Sequence, residues 1–233
     1  LVTMNQKEKS AKSSKAITKQ KEATIASKVV MFAIISFVGF LIETVYCSIN
    51  EGKLVDRGFL TLPLCGLYGT AVLFLDVILG NPLNNRFITY LEKKNVPKWL
   101  AITLSVIFYI VLSAIIATTI ELVVGVFFDK VMNTKLWDYS NISYNLDGYI
   151  CLPFSIIWGF LCTFIMMAVF YPIEKQVVKI KEKPLIITGT VLTSVIAIDL
   201  AFNFIYVSVA GSHFDVVYYL NTIRNTLSGY FHF

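Results

Sequence analysis

Apolar residues in this chain do not alternate with polar ones, as in a half-buried strand, and do not recur every third or fourth position, as on a surface helix; they gather into long runs. Five runs, at about 29–49, 59–80, 100–128, 149–172 and 185–210, reach the ~20 residues with which an α-helix crosses a bilayer. The pattern predicts an all-α integral membrane protein: five transmembrane helices, a basic arm over residues 1–28 and a polar tail over 211–233.

Composition agrees. Of 233 residues 56% are hydrophobic and 15% charged, against about 25% charged in soluble domains, and the mean hydropathy is +0.70. The cations set an expected orientation, because Lys and Arg beside apolar helices stay cytoplasmic. Seven lysines from Lys7 to Lys28 precede the first run; Arg86, Lys93, Lys94 and Lys98 follow the second, and Lys175, Lys179, Lys181 and Lys183 the fourth. Lys53, Arg57, Lys130, Lys135 and Arg224 are the cations of the opposite side. The N-terminus is therefore expected inside and the C-terminus outside, and the net charge of +5 is a topological bias that calls for no nucleic acid. Glu43 sits where the apolar core of a cleavable signal would end, so the first run reads as a retained helix. In the tail, Val216, Leu220, Ile223 and Leu227 at helical spacing suggest a short helix on the outer surface.

The runs carry a repeat. Gly58 to Gly69 (GFLTLPLCGLYG) and Gly148 to Gly159 (GYICLPFSIIWG) keep glycine, an aromatic, Leu-Pro, an aromatic and glycine in register at an offset of 90. Upstream, Ile42-Glu43, Ile120-Glu121 and Ile198-Asp199 recur at an interval of 78. The expected unit is a parallel hairpin: helices one and two form the first copy, three and four the second, and the fifth begins a third.

Acids in hydrocarbon cost about 2.5–3.5 kcal/mol on insertion scales, so they face a partner or a wet cavity. Glu43 and Glu121 fall six or seven residues before their helix ends, about 10 Å below the outer surface. With Asp199 they are expected to line one outward-facing acidic cavity binding a small or cationic solute; the alternative is that each fixes helix packing. Arg57 is the nearby counter-charge, and Tyr46, Tyr68 and Trp158 complete the candidate substrate-binding set. The Leu-Pro pairs at 62–63 and 152–153 either start helices or mark unwound, cavity-lining lead-ins. Asp76, four residues from an inner helix end, reads as snorkelling. The four cysteines read as small buried hydrophobes and the two histidines stand 19 residues apart near the C-terminus, so no catalytic residue, metal set or cofactor is assigned.

A resemblance joins these pieces. Ile42-Glu43 to Tyr46, Asp56-Arg57-Gly58-Phe59-Leu60, Pro63 to Cys65, Tyr68-Gly69, Leu136 to Ser140, Asn145 to Gly148, Ile150 to Leu152 and Trp158-Gly159 together resemble the bacterial family described as putative ABC-transporter type IV. The resemblance implies a transporter or transporter-associated subunit in a bacterial cytoplasmic membrane. No G-x-x-x-x-G-K-[ST] loop is present, so any ATPase is a separate subunit docked on residues 81–99 and 173–184, where no coupling helix is evident. Membrane lipid and a second copy of the chain are the other expected partners. Two readings compete with transport: a membrane-embedded enzyme on lipid-linked or envelope substrates, with Glu43 or Glu121 as general base and Arg57 clamping phosphate, and a non-catalytic sensor or scaffold.

Overall fold

The computed structural model describes residues 2–53, 55, 58–212, 214, 216 and 219, with residues 2–16 described by their backbone path. Helix α1 (Val2–Glu51) runs unbroken for 50 residues, so the basic arm continues the first apolar run as one helix. Its Ala26 and Ser27 are already buried. Helix α2 (Gly66–Ile78) has 13 residues, α3 (Arg86–Lys93) has 8, and α4 (Lys98–Val131) has 34. A two-stranded antiparallel hairpin, β1 (Asn145–Leu146) and β2 (Ile150–Cys151), leads into α5 (Leu152–Ile165). A π turn over Met166–Phe170 joins α5 to α6 (Tyr171–Val177), and α7 (Glu182–Ala210) ends the described bundle.

Among the described residues four helical stretches are long and apolar enough to cross a membrane: Ile17–Glu51, Lys98–Val131, Leu152–Val177 and Glu182–Ala210. The second apolar run behaves differently. At 1.5 Å per residue α2 is about 20 Å long, short of a ~30 Å hydrocarbon layer. Its first seven residues, 59–65, are not helical. Pro63 is the physical reason: it offers no N–H and disfavours helix for Leu62. Pro153 lies in the first turn of α5, where its missing N–H is no loss. The two Leu-Pro pairs thus divide between the two expected conformations. The tail helix expected from Val216, Leu220, Ile223 and Leu227 lies largely outside the described residues.

The 81–99 connection, expected to hold no helix that could couple to a partner, contains α3. Asn85 caps it, its side chain accepting from the N–H groups of Phe87 and Ile88 at 3.0 and 3.1 Å. Phe87 stacks on Phe108 of α4 at 4.9 Å, and Asn85 donates to Ser105 Oγ at 2.8 Å.

The packing follows small residues. Helix α4 lies along α5, and α1 lies along α2 and α7. A Cβ on Gly159 would stand 2.7 Å from the Ile110 carbonyl oxygen and 2.9 Å from Ala114 Cβ; only glycine lets α5 approach α4 so closely. Gly69 plays the same part against Phe32 and Ser36 of α1. Met31, Ile35, Leu75, Tyr109, Ile165, Met166 and Phe170 form the centre of the core. Only 11% of the apolar stretch of α7 is buried, and Ile187, Ile198 and Val209 project outward. So wide an apolar surface suits a lipid solvent and would drive aggregation in water.

Candidate functional site

Of the predicted site residues that the structure describes, Glu121 is the most enclosed, at 3% exposure on α4. A buried carboxylate needs donors, and two neutral ones reach it: Tyr139 Oη donates to Oε1 at 2.9 Å and Trp158 Nε1 to Oε2 at 3.2 Å. Trp158 comes from α5, which Gly159 brings against α4. Tyr139 comes from the loop between α4 and β1. That loop is tied down by the Tyr139 N–H donating to the Gly148 carbonyl at 2.8 Å and by Trp137 Nε1 donating to the Tyr149 carbonyl at 2.8 Å. Gly148 has φ +76°, and any Cβ there would meet Asp138 and Ser140. This accounts for a glycine at that position.

Glu43 of α1 is half-buried and stands near enough to Glu121 for the carboxylates to repel. It accepts from Cys65 Sγ at 3.4 Å. Around the pair the rings interlock: Tyr68 meets Trp158 edge-on at 5.5 Å, Tyr139 stacks on Phe154 at 5.0 Å, and Tyr46 meets Phe154 at 6.5 Å. Burial first, and the Glu121 charge second, push the Tyr139 phenol up, which keeps it protonated as a donor. A cavity of about 30 Å³ opens beside Glu121, lined by Leu67, Tyr68, Ala71, Ala117, Trp158 and Cys162. One water fits such a volume.

Asp199 is engaged elsewhere. Its carboxylate accepts from the Leu62 N–H at 3.1 Å and from Asn203 Nδ2 at 3.2 Å, while Asn203 also donates to Thr61 Oγ1 at 3.1 Å. The Cys65 N–H donates to the Ser36 carbonyl at 2.9 Å. Asp199 therefore holds the non-helical lead-in to α2, whose orphaned backbone would otherwise cost several kcal/mol in lipid. The structure brings Glu43, Glu121, Tyr46, Tyr68 and Trp158 into one cluster and places Asp199 on the segment that carries Cys65. Arg57, the expected counter-charge, lies outside the described residues.

The sequence pattern of the family described as Putative ABC-transporter type IV matches residues 30–204, a stretch that contains every element of this cluster. The chain belongs to that family. It is a multi-pass membrane protein related to ABC transporters. No curated protein and no solved structure matches the chain.

A second polar cluster in this family member escaped the sequence reading. Lys28 Nζ of α1 pairs with Asp76 Oδ2 of α2 at 2.6 Å and with Glu174 Oε1 of α6 at 2.5 Å. Tyr171 Oη donates to Asp76 Oδ1 at 2.8 Å, and the ammonium sits 5.4 Å from the centre of the Phe170 ring. Asp76 is a bridge between three helices and does not snorkel. A lysine, an aspartate and a glutamate each near an end of an apolar run were the available signal, but their partnership spans 48 and 146 residues.

Proposed function

We propose that this chain is the membrane subunit of a transporter and takes a small cationic solute between Glu43 and Glu121, within the ring cluster of Tyr46, Tyr68, Tyr139 and Trp158. The observation that carries this reading is the buried Glu121 carboxylate, whose donors among the described residues are neutral, with a second carboxylate near it. Two repelling carboxylates favour a shared cation, and aromatic faces add a cation–π attraction of about 0.5–2 kcal/mol. In this reading Asp199 acts indirectly, by fixing the lead-in that presents Cys65 to Glu43. The cation distribution supports a cytoplasmic N-terminus and an outward-facing site, with residues 59–65 and α2 together completing a fifth crossing. Duplication is supported by the proximity of equivalent positions, Tyr68 in ring contact with Trp158 and Glu43 within electrostatic reach of Glu121. A separate ATPase subunit would meet α3 and the connection after α6.

The test is thermal unfolding of purified protein in nanodiscs with sodium or potassium chloride, cations of about the size of the one water the cavity fits, at matched ionic strength. One cation should raise the parent Tm, and Glu43→Gln and Glu121→Gln should abolish the rise while staying folded. The reading is wrong if neither cation stabilises the parent, or if both Gln variants respond as the parent does.

A further inference from the structure

The buried face of α4 repeats every fourth residue: Ser105, Tyr109, Ser113, Ala117 and Glu121 all point inward. Threonines elsewhere in the helices, such as Thr119, Thr163 and Thr193, return their hydroxyls to the carbonyl four residues back, which is how a membrane helix normally satisfies them. Ser113, fully buried, and Tyr109, 2% exposed, do not; among the described residues their hydroxyls bond no protein group. Ser36, Thr44 and Thr118 in the same bundle share this property. A buried hydroxyl without a partner costs about 1–3 kcal/mol, so a line of them demands an explanation.

Their placement supplies one. Glu121 and Tyr109 are 12 residues apart, about 18 Å along the helix axis. Below Glu121 the cavity reaches Cys162, which is itself an electrostatic neighbour of Tyr109. Beyond Tyr109 come Asp76 and Tyr171, with Lys28 and Glu174 facing Asp76. We propose that this line is a proton path joining the Glu121 cavity to Asp76 through Ser113 and Tyr109, with solvent waters between successive groups and more than one water over the ~12 Å of helix between Glu121 and Ser113. Glu43, Tyr139 and Trp158 face its Glu121 end.

A proton taken up by a Glu121 carboxylate oxygen leaves when that O–H donates to a water. Each water and hydroxyl then accepts one hydrogen and releases its own, and the Asp76 carboxylate takes the last. Only O–H bonds are exchanged, nothing is oxidised or reduced, and one positive charge crosses the bundle. Serine and tyrosine suit this task because each both donates and accepts, and an unsatisfied hydroxyl can turn to face either side.

The path shares Glu121 with the solute site but needs no solute, so the two readings are separable. The experiment is proton uptake by the full chain in phosphatidylcholine/phosphatidylglycerol vesicles enclosing a pH dye, driven by a potassium diffusion potential with valinomycin. The parent should exceed protein-free vesicles by about tenfold, and Tyr109→Phe and Ser113→Ala should each lower uptake by about tenfold, within the ~100-fold that a positioned proton donor contributes. Both variants should keep the parent Tm or exceed it, because the lost hydroxyls bond no protein group, and both should keep the cation-induced Tm rise. Parent uptake at the protein-free level, or parental uptake in both variants, overturns the path. Loss of the cation response in the parent would instead strike the solute reading alone.

Discussion

Lys28 offers the sharpest energetic test, because one ammonium holds two carboxylates from different helices. Lys28→Met keeps the apolar stem over Phe170 and removes the charge. Taking one partner from a buried ion pair costs about 3–5 kcal/mol, while exposed pairs are worth about 0–1. The Lys28 side chain is 34% exposed, with Asp76 at 10% and Glu174 at 19%, so the expected loss lies between these limits and nearer the buried one, at about 2–3 kcal/mol. For a chain of this size that is a fall in Tm of about 5–10 °C, readable by tryptophan fluorescence in detergent. Glu174→Gln alone should cost little, since Lys28 keeps Asp76. Added to Lys28→Met it should recover about half the loss, one unpaired carboxylate remaining in place of two, and the double-mutant cycle gives the coupling directly. A Lys28→Met protein within about 0.5 kcal/mol of the parent, or a Glu174→Gln that deepens the loss, would refute the reasoning.

Gly159→Val should lower the Tm, because its Cβ would meet the Ile110 carbonyl and Ala114 and force α4 from α5 at about 1–3 kcal/mol; Gly66→Ala, whose Cβ would find only Phe32 at 3.8 Å, should be neutral or slightly stabilising by the same melt. The Ser140 hydroxyl first, its N–H next and then Lys135 hold the Asp138 carboxyl down at about 2, against 3.8 ordinarily. A depressed pKa gives stability that is complete above the unfolded value and lost as pH falls through the folded one, so the loop should be constant from neutral pH to about 4 and loosen toward about 2. The difference in fluorescence between the parent and Trp137→Phe reports this; a midpoint at or above pH 4 would break the assignment.

Long elements were legible because their signal is long: the runs that became α4, the α5–α6 stretch and α7 exceed any soluble alternative. The placing of Glu121 inside a helix followed from local spacing as well. What failed was short or distant. Helix α3 has 8 residues, too few for periodicity to outweigh the loop composition around it. Tyr139 is missing from the candidate set, because nothing in the chain says that the loop folds back 18 residues to reach Glu121. The Leu62-Pro63 and Leu152-Pro153 pairs look alike in sequence and differ in structure, since their conformation depends on what accepts the neighbouring N–H groups, and Asp199 lies 137 residues away from Leu62.

The π turn at Met166–Phe170 works as a one-residue phase shift. Pro172 cannot donate to the carbonyl of Ala168 and its ring crowds that carbonyl, so the turn widens to take up an extra residue. Each residue turns an α-helix by about 100°, which means that every side chain after Phe170 is indexed one step away from the face an uninterrupted helix would give it. That offset points Tyr171 and Glu174 at Asp76 and Lys28. Deleting one residue within Met166–Phe170 and replacing Pro172 with alanine would restore regular winding, swing both groups off the cluster by about 100°, and leave hydropathy and length almost untouched. A family member with both changes would therefore keep the same membrane profile and lose the three-helix bridge.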